Sequence, residues 1–205
     1  SYLTFLDSDD WIHESYIAYL YGLLRDNAAE ISLCKFLKVI NEEVPIEPSE
    51  GKVDVLSNDA VLERYIDLGD VFHPQLVMAC GKLFKAELFD TIRFPVGRLH
   101  EDEFTTYKLF HYAKKTVLST KPLYYYWQRE DSIMGLGFKT KNKLDYLDAL
   151  AERASFFHDE GREGLSNRTY KSLFAEGLST ILVLDRQKEE ISKKEVFARL
   201  KQARE

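Results

Sequence analysis

Residues 2–11 read Tyr-Leu-Thr-Phe-Leu-Asp-Ser-Asp-Asp-Trp. Tyr2 to Leu6 has the pattern of a buried strand. A cluster of acids follows, then Trp11, and then Ile17, Leu20, Tyr21 and Leu24 recur at helical spacing. Strand, acidic turn and helix in that order are the connection of an α/β sheet, and ligands bind at strand ends in such sheets. Carboxylates at i and i+2 on an extended strand end point to one side, so Asp7 and Asp9 can converge on one hard cation while Ser8 faces away. Oxygen donors of this kind suit Mg²⁺ or Mn²⁺, whose remaining positions fill with substrate phosphates and water. The bland reading of the same acids is that Asp9 or Asp10 caps the following helix.

Ile31 to Leu37 is a second apolar run and reads as a further strand. Asn41 to Lys52 is polar, contains Pro45, Pro48 and Gly51, and reads as a loop. Ser57 is placed to N-cap a helix with Val61, Leu62, Tyr65 and Ile66 on one face, ending near Gly69. Leu76 to Phe84 is expected to be extended, Lys85 to Thr91 a short helix, and Gly97 opens a loop that delivers Glu101-Asp102-Glu103. A helix through Phe104, Tyr107, Leu109, Phe110 and Ala113 comes next, then strands at Thr116 to Ser119 and Leu123 to Gln128. In the latter, Tyr124 and Tyr126 face one side and Tyr125 and Trp127 the other. From Asn142 the character changes to long amphipathic helices, with one stripe at Leu144, Leu147, Ala151 and Ala154. A second runs through Tyr170, Leu173, Phe174, Leu178, Ile181 and Leu182, and the charged segment from Glu189 to Glu205 is expected to be only marginally helical. The domain boundary is expected near Phe138, giving an α/β part over 1–138 and a helical part over 139–205.

The bulk properties fit a folded globular chain. Of 205 residues, 45% are hydrophobic, 30% charged and 13% aromatic. The balance of 28 basic and 34 acidic residues gives −6, so no global basic field draws nucleic acid. Cys34 and Cys80 lie far apart, which argues against a disulfide framework or a structural zinc site and for a reducing compartment. No stretch reaches the roughly 18–20 apolar residues of a membrane span. Because Ser1 is not an initiator Met and the strand pattern starts at once, a preceding segment is expected.

The string FLDSDDW at Phe5 to Trp11 resembles the metal-motif region of family 2 glycosyltransferases. The resemblance continues in GKLFKAELFD from Gly81, in F-P-x-G from Phe94, in HEDEF at His100 to Phe104, and in YYYWQREDSIM at Tyr124 to Met134. These blocks keep the family's order over residues 2 to about 134. The resemblance implies an α/β fold, an incomplete GT-A-like mixed sheet flanked by helices with a C-terminal helical region. It implies sugar transfer from a nucleotide-diphosphate sugar to a hydroxyl, in a glycan or lipid-linked acceptor, with inversion at the anomeric carbon. Asp7 and Asp9 would hold the metal, with Asp7 also on the donor side. Asp102 would be the general base, supported by Glu101, and Arg129, followed by Ser132 in an Arg-x-x-Ser pattern, would contact the diphosphate. Cytoplasmic polysaccharide assembly, with peripheral contact at the inner face of a membrane, follows from the same resemblance. The family's upstream nucleoside-binding region has no counterpart here, so this polypeptide alone is expected to transfer little sugar.

Other readings stand beside these. Glu101, Asp102 and Glu103 can simply favour the first turn of a helix, and Arg129 can form an ordinary salt bridge with Glu130 or Asp131. Lys82 is expected to be structural, Trp11 a core or pocket-wall aromatic, and His13, His73 and His100 polar surface or satisfied core residues. Haloacid dehalogenase-like phosphotransferases also place Asp-x-Asp after a first strand, with a later Lys and an acidic pair, and Lys82 and Glu101-Asp102 follow in order. Their motif has Thr or Val two residues beyond the second Asp, where this chain has Trp11. A non-catalytic interaction domain, with the long helices binding a partner, is the third alternative.

Overall fold

The computed structural model describes residues 1–39, 50–128, 140–188 and 190–203. Most of the loop expected from Asn41, and the boundary near Phe138, lie outside the described residues. In chain order the elements are β1 (Tyr2–Leu3), β2 (Trp11–Ile12), α1 (Tyr16–Asn27), β3 (Ile31–Val39), β4 (Val53–Ser57), α2 (Asn58–Tyr65), α3 (His73–Val77) and β5 (Lys82–Lys85), then a 3₁₀ turn at Ala86–Phe89. They continue with α4 (Thr106–Tyr112), β6 (Lys115–Trp127), α5 (Thr140–Asp159), α6 (Glu163–Gln187) and α7 (Glu190–Gln202). Two compact units result: Ser1–Arg93 with Thr105–Gly135, and Phe94–Phe104 with Leu136–Glu205.

The first unit is a mixed, half-barrel sheet in the order β1-β5-β3-β6-β2, with β4 also on β6. Its central pair, β3 and β6, is parallel, while every other described pair is antiparallel. β6 is one strand where two were expected. Pro122 breaks the sequence pattern, but it sits opposite Lys35 at a register shift in the ladder, where a residue without an N–H is tolerated. The first half of β6 pairs with β4, from Val53 opposite Ser119 to Ser57 opposite Lys115, and its second half with β2.

α1 buries Tyr16, Leu20 and Leu24 against Cys34, Leu83, Val117, Leu123 and Tyr124. The expected face was one step out of phase, for Ile17 and Tyr21 are 46% and 41% exposed. Tyr16 takes the buried place because its hydroxyl donates to Lys82 O at 3.2 Å and lies 3.0 Å from Thr4 Oγ1, so burying it leaves no polar atom unpaired. Ser57 caps α2 as expected, its Oγ accepting from Ala60 N–H at 3.2 Å. Leu76, expected in an extended run, belongs instead to α3, which Pro74 opens with a φ already suited to a first helical turn. Tyr124 and Tyr126 pack with the α1 core, and Tyr125 and Trp127 meet Trp11 on the other face, as the alternation predicts.

In the second unit α5, α6 and α7 share a core of Leu147, Leu150, Leu173, Leu184, Val196 and Leu200. The expected stripe on α6 is displaced, because Leu178 and Leu182 are exposed while Gly177, Thr180 and Leu184 are buried. Nor is the last segment marginal, since Val196 and Leu200 anchor α7. Gly177 lets α7 come close: a Cβ there would stand 2.7 Å from Leu200 Cδ2 and 3.1 Å from its Cγ. Replacing Gly177 by Val should therefore force Leu200 aside and cost about 1–3 kcal/mol, seen as a lower urea midpoint.

Candidate active site

The acids at Asp7, Asp9 and Asp10 stand on a hydrogen-bonded turn, not on a strand end. Pairing of β1 with β5 stops at Leu3, where Thr4 Oγ1 donates to Lys82 O at 2.7 Å. β1 is therefore only Tyr2–Leu3, is exposed, and forms the sheet edge. The backbone then turns back, and Asp10 N–H donates to Asp7 O at 3.1 Å. Asp7 and Asp9 thus stand at the first and third positions of a reverse turn and not along an extended strand. Asp7 and Ser8 are exposed, and Asp9 and Asp10 are half-buried.

None of the three caps the next helix. The N-cap of α1 is Ser15, five residues past Asp10, and no acid lies in its first turn. Asp10 instead fastens the turn to β6: one carboxylate oxygen accepts from the Tyr124 hydroxyl at 2.6 Å and the other from Trp127 N–H at 2.9 Å. Burial raises the Asp10 pKa, the two hydrogen bonds oppose this, and the neighbouring charges of Asp7 and Asp9 raise it further. The fully buried Tyr124 also accepts from Asp7 N–H at 3.4 Å. Cys80 donates its thiol to Asp7 Oδ1 at 3.3 Å, and burial pushes that thiol up to about 12, so it remains a protonated donor. Sequence reasoning missed Asp10, Tyr124 and Cys80 as partners of the motif. The available signal was a tyrosine on the core-facing side of β6, whose buried hydroxyl needs a partner.

The second acidic string lies before α4, which begins only at Thr106 and carries no acid in its first turn. Glu101, Asp102 and Glu103 therefore lie outside the first turn of that helix. Glu103 is buried and accepts from Arg153 Nη1 at 2.8 Å, while Glu101 is exposed and Asp102 half-buried. The backbone around them is held to α5. Asp145 accepts from Leu99 N–H at 3.0 Å, from Arg98 at 2.8 Å and from Lys141 at 3.2 Å. Burial raises the pKa of Asp145, but these three donors outweigh it and hold the group below the usual carboxylate range. His100, in the left-handed region at φ 58°, pairs through Nε2 with Asn142 Oδ1 and rests against the Tyr146 ring. It is a satisfied polar residue.

Asp7 and Asp9 belong to the first compact unit, and Glu101 and Asp102 to the second. Arg129 and Ser132 lie outside the described residues. Lys82 is structural, as expected: its fully buried ammonium donates to the carbonyls of Gln75 and Met78 at the end of α3. Among the described residues no three His, Cys, Asp or Glu side chains gather into a metal-holding group. Two carboxylates on the turn suit a hard cation that takes most of its oxygens from phosphate and water, and do not suit an all-protein cage.

No family model matches the chain. It is 29% identical over 165 residues to glycosyltransferase GlyA of Streptococcus pneumoniae, an alignment that takes in 78% of this chain and 24% of GlyA. Against glycosyltransferase GlyG of the same organism it is 26% identical over 165 residues, 75% of this chain and 52% of GlyG. The chain thus spans about a quarter and about half of these curated relatives. Among solved structures, S. aureus TarS 1-349 in complex with UDP-GlcNAc superposes with a TM-score of 0.65 at 19% identity, over 98% of this chain and 57% of that one. The relatives are glycosyltransferases, and the fold is that of TarS.

Proposed function

We propose that this chain carries the donor-metal turn and the general base of an inverting family 2 glycosyltransferase, which moves a sugar from a nucleotide-diphosphate donor to a hydroxyl acceptor. The observation that carries the reading is the acidic turn itself: Asp10 fastens it to β6, and Asp7 and Asp9 stand on it as the carboxylates of the Asp-x-Asp pair. Similarity to GlyA and GlyG favours glycosyl transfer over the phosphotransferase reading of the same Asp-x-Asp motif.

Asp7 and Asp9 would hold Mg²⁺ or Mn²⁺, which when bound neutralises charge on a departing diphosphate. Asp102 accepts the proton of the acceptor hydroxyl as its oxygen attacks the anomeric carbon and the bond to the diphosphate breaks. A carboxylate suffices as base because the hydroxyl acidifies only as the new bond forms. Glu101 supports Asp102, and Arg129 binds the diphosphate with charge-assisted hydrogen bonds. The complex of TarS with UDP-GlcNAc makes a uridine-diphosphate sugar the first donor to test. The acceptor is a glycan or a lipid-linked sugar, met in the cytoplasm at a membrane surface. Among the described residues no helix is long and apolar enough to cross a membrane.

Calorimetry tests the metal assignment. In the protein that carries this chain, UDP binding should strengthen when Mn²⁺ is added, and Asp9→Ala should abolish that gain. If the Mn²⁺ effect persists undiminished in Asp9→Ala, the assignment is wrong.

A further inference from the structure

We infer that Tyr124 and Asp10 are positioning residues for the metal-binding turn, so that its cation affinity is set from β6, more than a hundred residues away in sequence. This rests on the reading that Asp7 and Asp9 are the metal ligands. A four-residue turn has little stiffness of its own: one backbone hydrogen bond closes it, from Asp10 N–H to Asp7 O, and both of its candidate ligands are partly exposed. Two carboxylates that must meet one cation lose affinity if the loop between them is free to open, because ordering it is then charged against binding.

The anchor removes that freedom at both ends. At the far end the Asp10 carboxylate is held by two donors from one strand, the Tyr124 hydroxyl and Trp127 N–H. At the near end the same Tyr124 oxygen accepts from Asp7 N–H, so a single phenol bridges the first and last residues of the turn. Tyr124 is itself fixed, since it is fully buried in the core built on Tyr16, Leu20 and Leu24. Partners that orient metal-ligating carboxylates in this way change affinity without touching the metal. The arrangement also explains why a third acid follows the Asp-x-Asp pair: it is the clamp.

The chain provides its own reporter. Its two tryptophans are Trp11, directly after the turn, and Trp127, whose N–H holds Asp10. Tb³⁺ is a hard, oxygen-seeking stand-in for Mg²⁺ and Mn²⁺ that luminesces when excited through a nearby indole. Tb³⁺ alone, titrated into the protein that carries this chain, should give tryptophan-sensitised emission that Mn²⁺ competes away and that Asp9→Ala removes. Tyr124→Phe, which keeps every charge, should weaken Tb³⁺ affinity about tenfold. Asp10→Ala should weaken it to a similar degree, and the Tyr124→Phe/Asp10→Ala double variant should be no weaker than the worse single one. Asp10→Asn, which keeps an oxygen acceptor, should recover most of the loss. The titrations are run well below each variant's thermal midpoint, so that a loss of global stability alone leaves affinity unmoved. If Tyr124→Phe does not fold, the Asp10→Ala and Asp10→Asn pair carries the test.

Three results overturn the inference. Wild-type affinity in Tyr124→Phe and Asp10→Ala, with Asp9→Ala inactive in binding, refutes the anchor and leaves the metal assignment standing. Asp10→Asn as weak as Asp10→Ala refutes it too, since charge and not anchoring would then be the cause. Undiminished emission in Asp9→Ala removes the metal assignment itself, and the anchor with it.

Discussion

Replacing Asp102 by Asn in the protein that carries this chain is expected to lower kcat about 10²–10⁴-fold, the range over which a positioned general base contributes. Asn fills the same space but cannot accept the acceptor's proton. Because the proton moves only in the transition state, KM for the nucleotide sugar should hardly change, and kcat and kcat/KM should fall together. Glu101→Gln serves as the comparison. Glu101 is exposed and Asp102 half-buried in the same short segment, so the supporting residue should cost markedly less than the base. A rise in KM with unchanged kcat in Asp102→Asn would make this residue a binding group, and equal losses from both variants would leave the base unassigned.

The largest expected effect on stability lies one residue further on. Glu103 and Arg153 form a buried ion pair, with side chains 10% and 3% exposed and 2.8 Å between nitrogen and oxygen. Glu103→Ala leaves the guanidinium buried without the carboxylate that faces it, which costs about 3–5 kcal/mol. Equilibrium urea unfolding should register this as a large fall in midpoint. Replacing both partners, Glu103→Leu with Arg153→Met, should restore much of the stability, because the desolvation cost of the pair goes with it. If Glu103→Ala is nearly neutral, the pair does not hold the segment carrying Asp102.

Much of the fold was legible because it rests on local patterns. Ser57 caps α2, the alternation from Tyr124 to Trp127 assigns two faces correctly, and the run from Ile31 is a central strand. What failed did so for identifiable tertiary reasons. Pro122 splits β6 only on paper, because a register shift absorbs it. The buried face of α1 slides to Tyr16 because a carbonyl at Lys82 and a hydroxyl at Thr4 await its phenol, partners 66 and 12 residues away. α7 reads as a weak helix, yet Leu200 packs over Gly177, a contact that no property of residues 189–205 announces.

The site divides in the same way. Asp7 and Asp9 read as neighbours on the end of an extended strand, and the structure sets them on a reverse turn instead. Asp10 reads locally as a spare acid or a helix cap. Its partner is 114 residues distant, and only the pairing of β2 with β6, Trp11 opposite Tyr125 and Ile12 opposite Tyr124, brings the two together. A short motif names candidate ligands but not the residues that hold them in place.

The anomeric configuration of the product tests inverting transfer most directly. With an α-linked uridine-diphosphate sugar and a hydroxyl acceptor, proton NMR of the reaction run by the protein that carries this chain reads the anomeric configuration of the new linkage as it forms. A β-linked product, released together with one equivalent of nucleoside diphosphate and lost in Asp102→Asn, is the result expected. An α-linked product, or phosphate release with no sugar transferred, would contradict it.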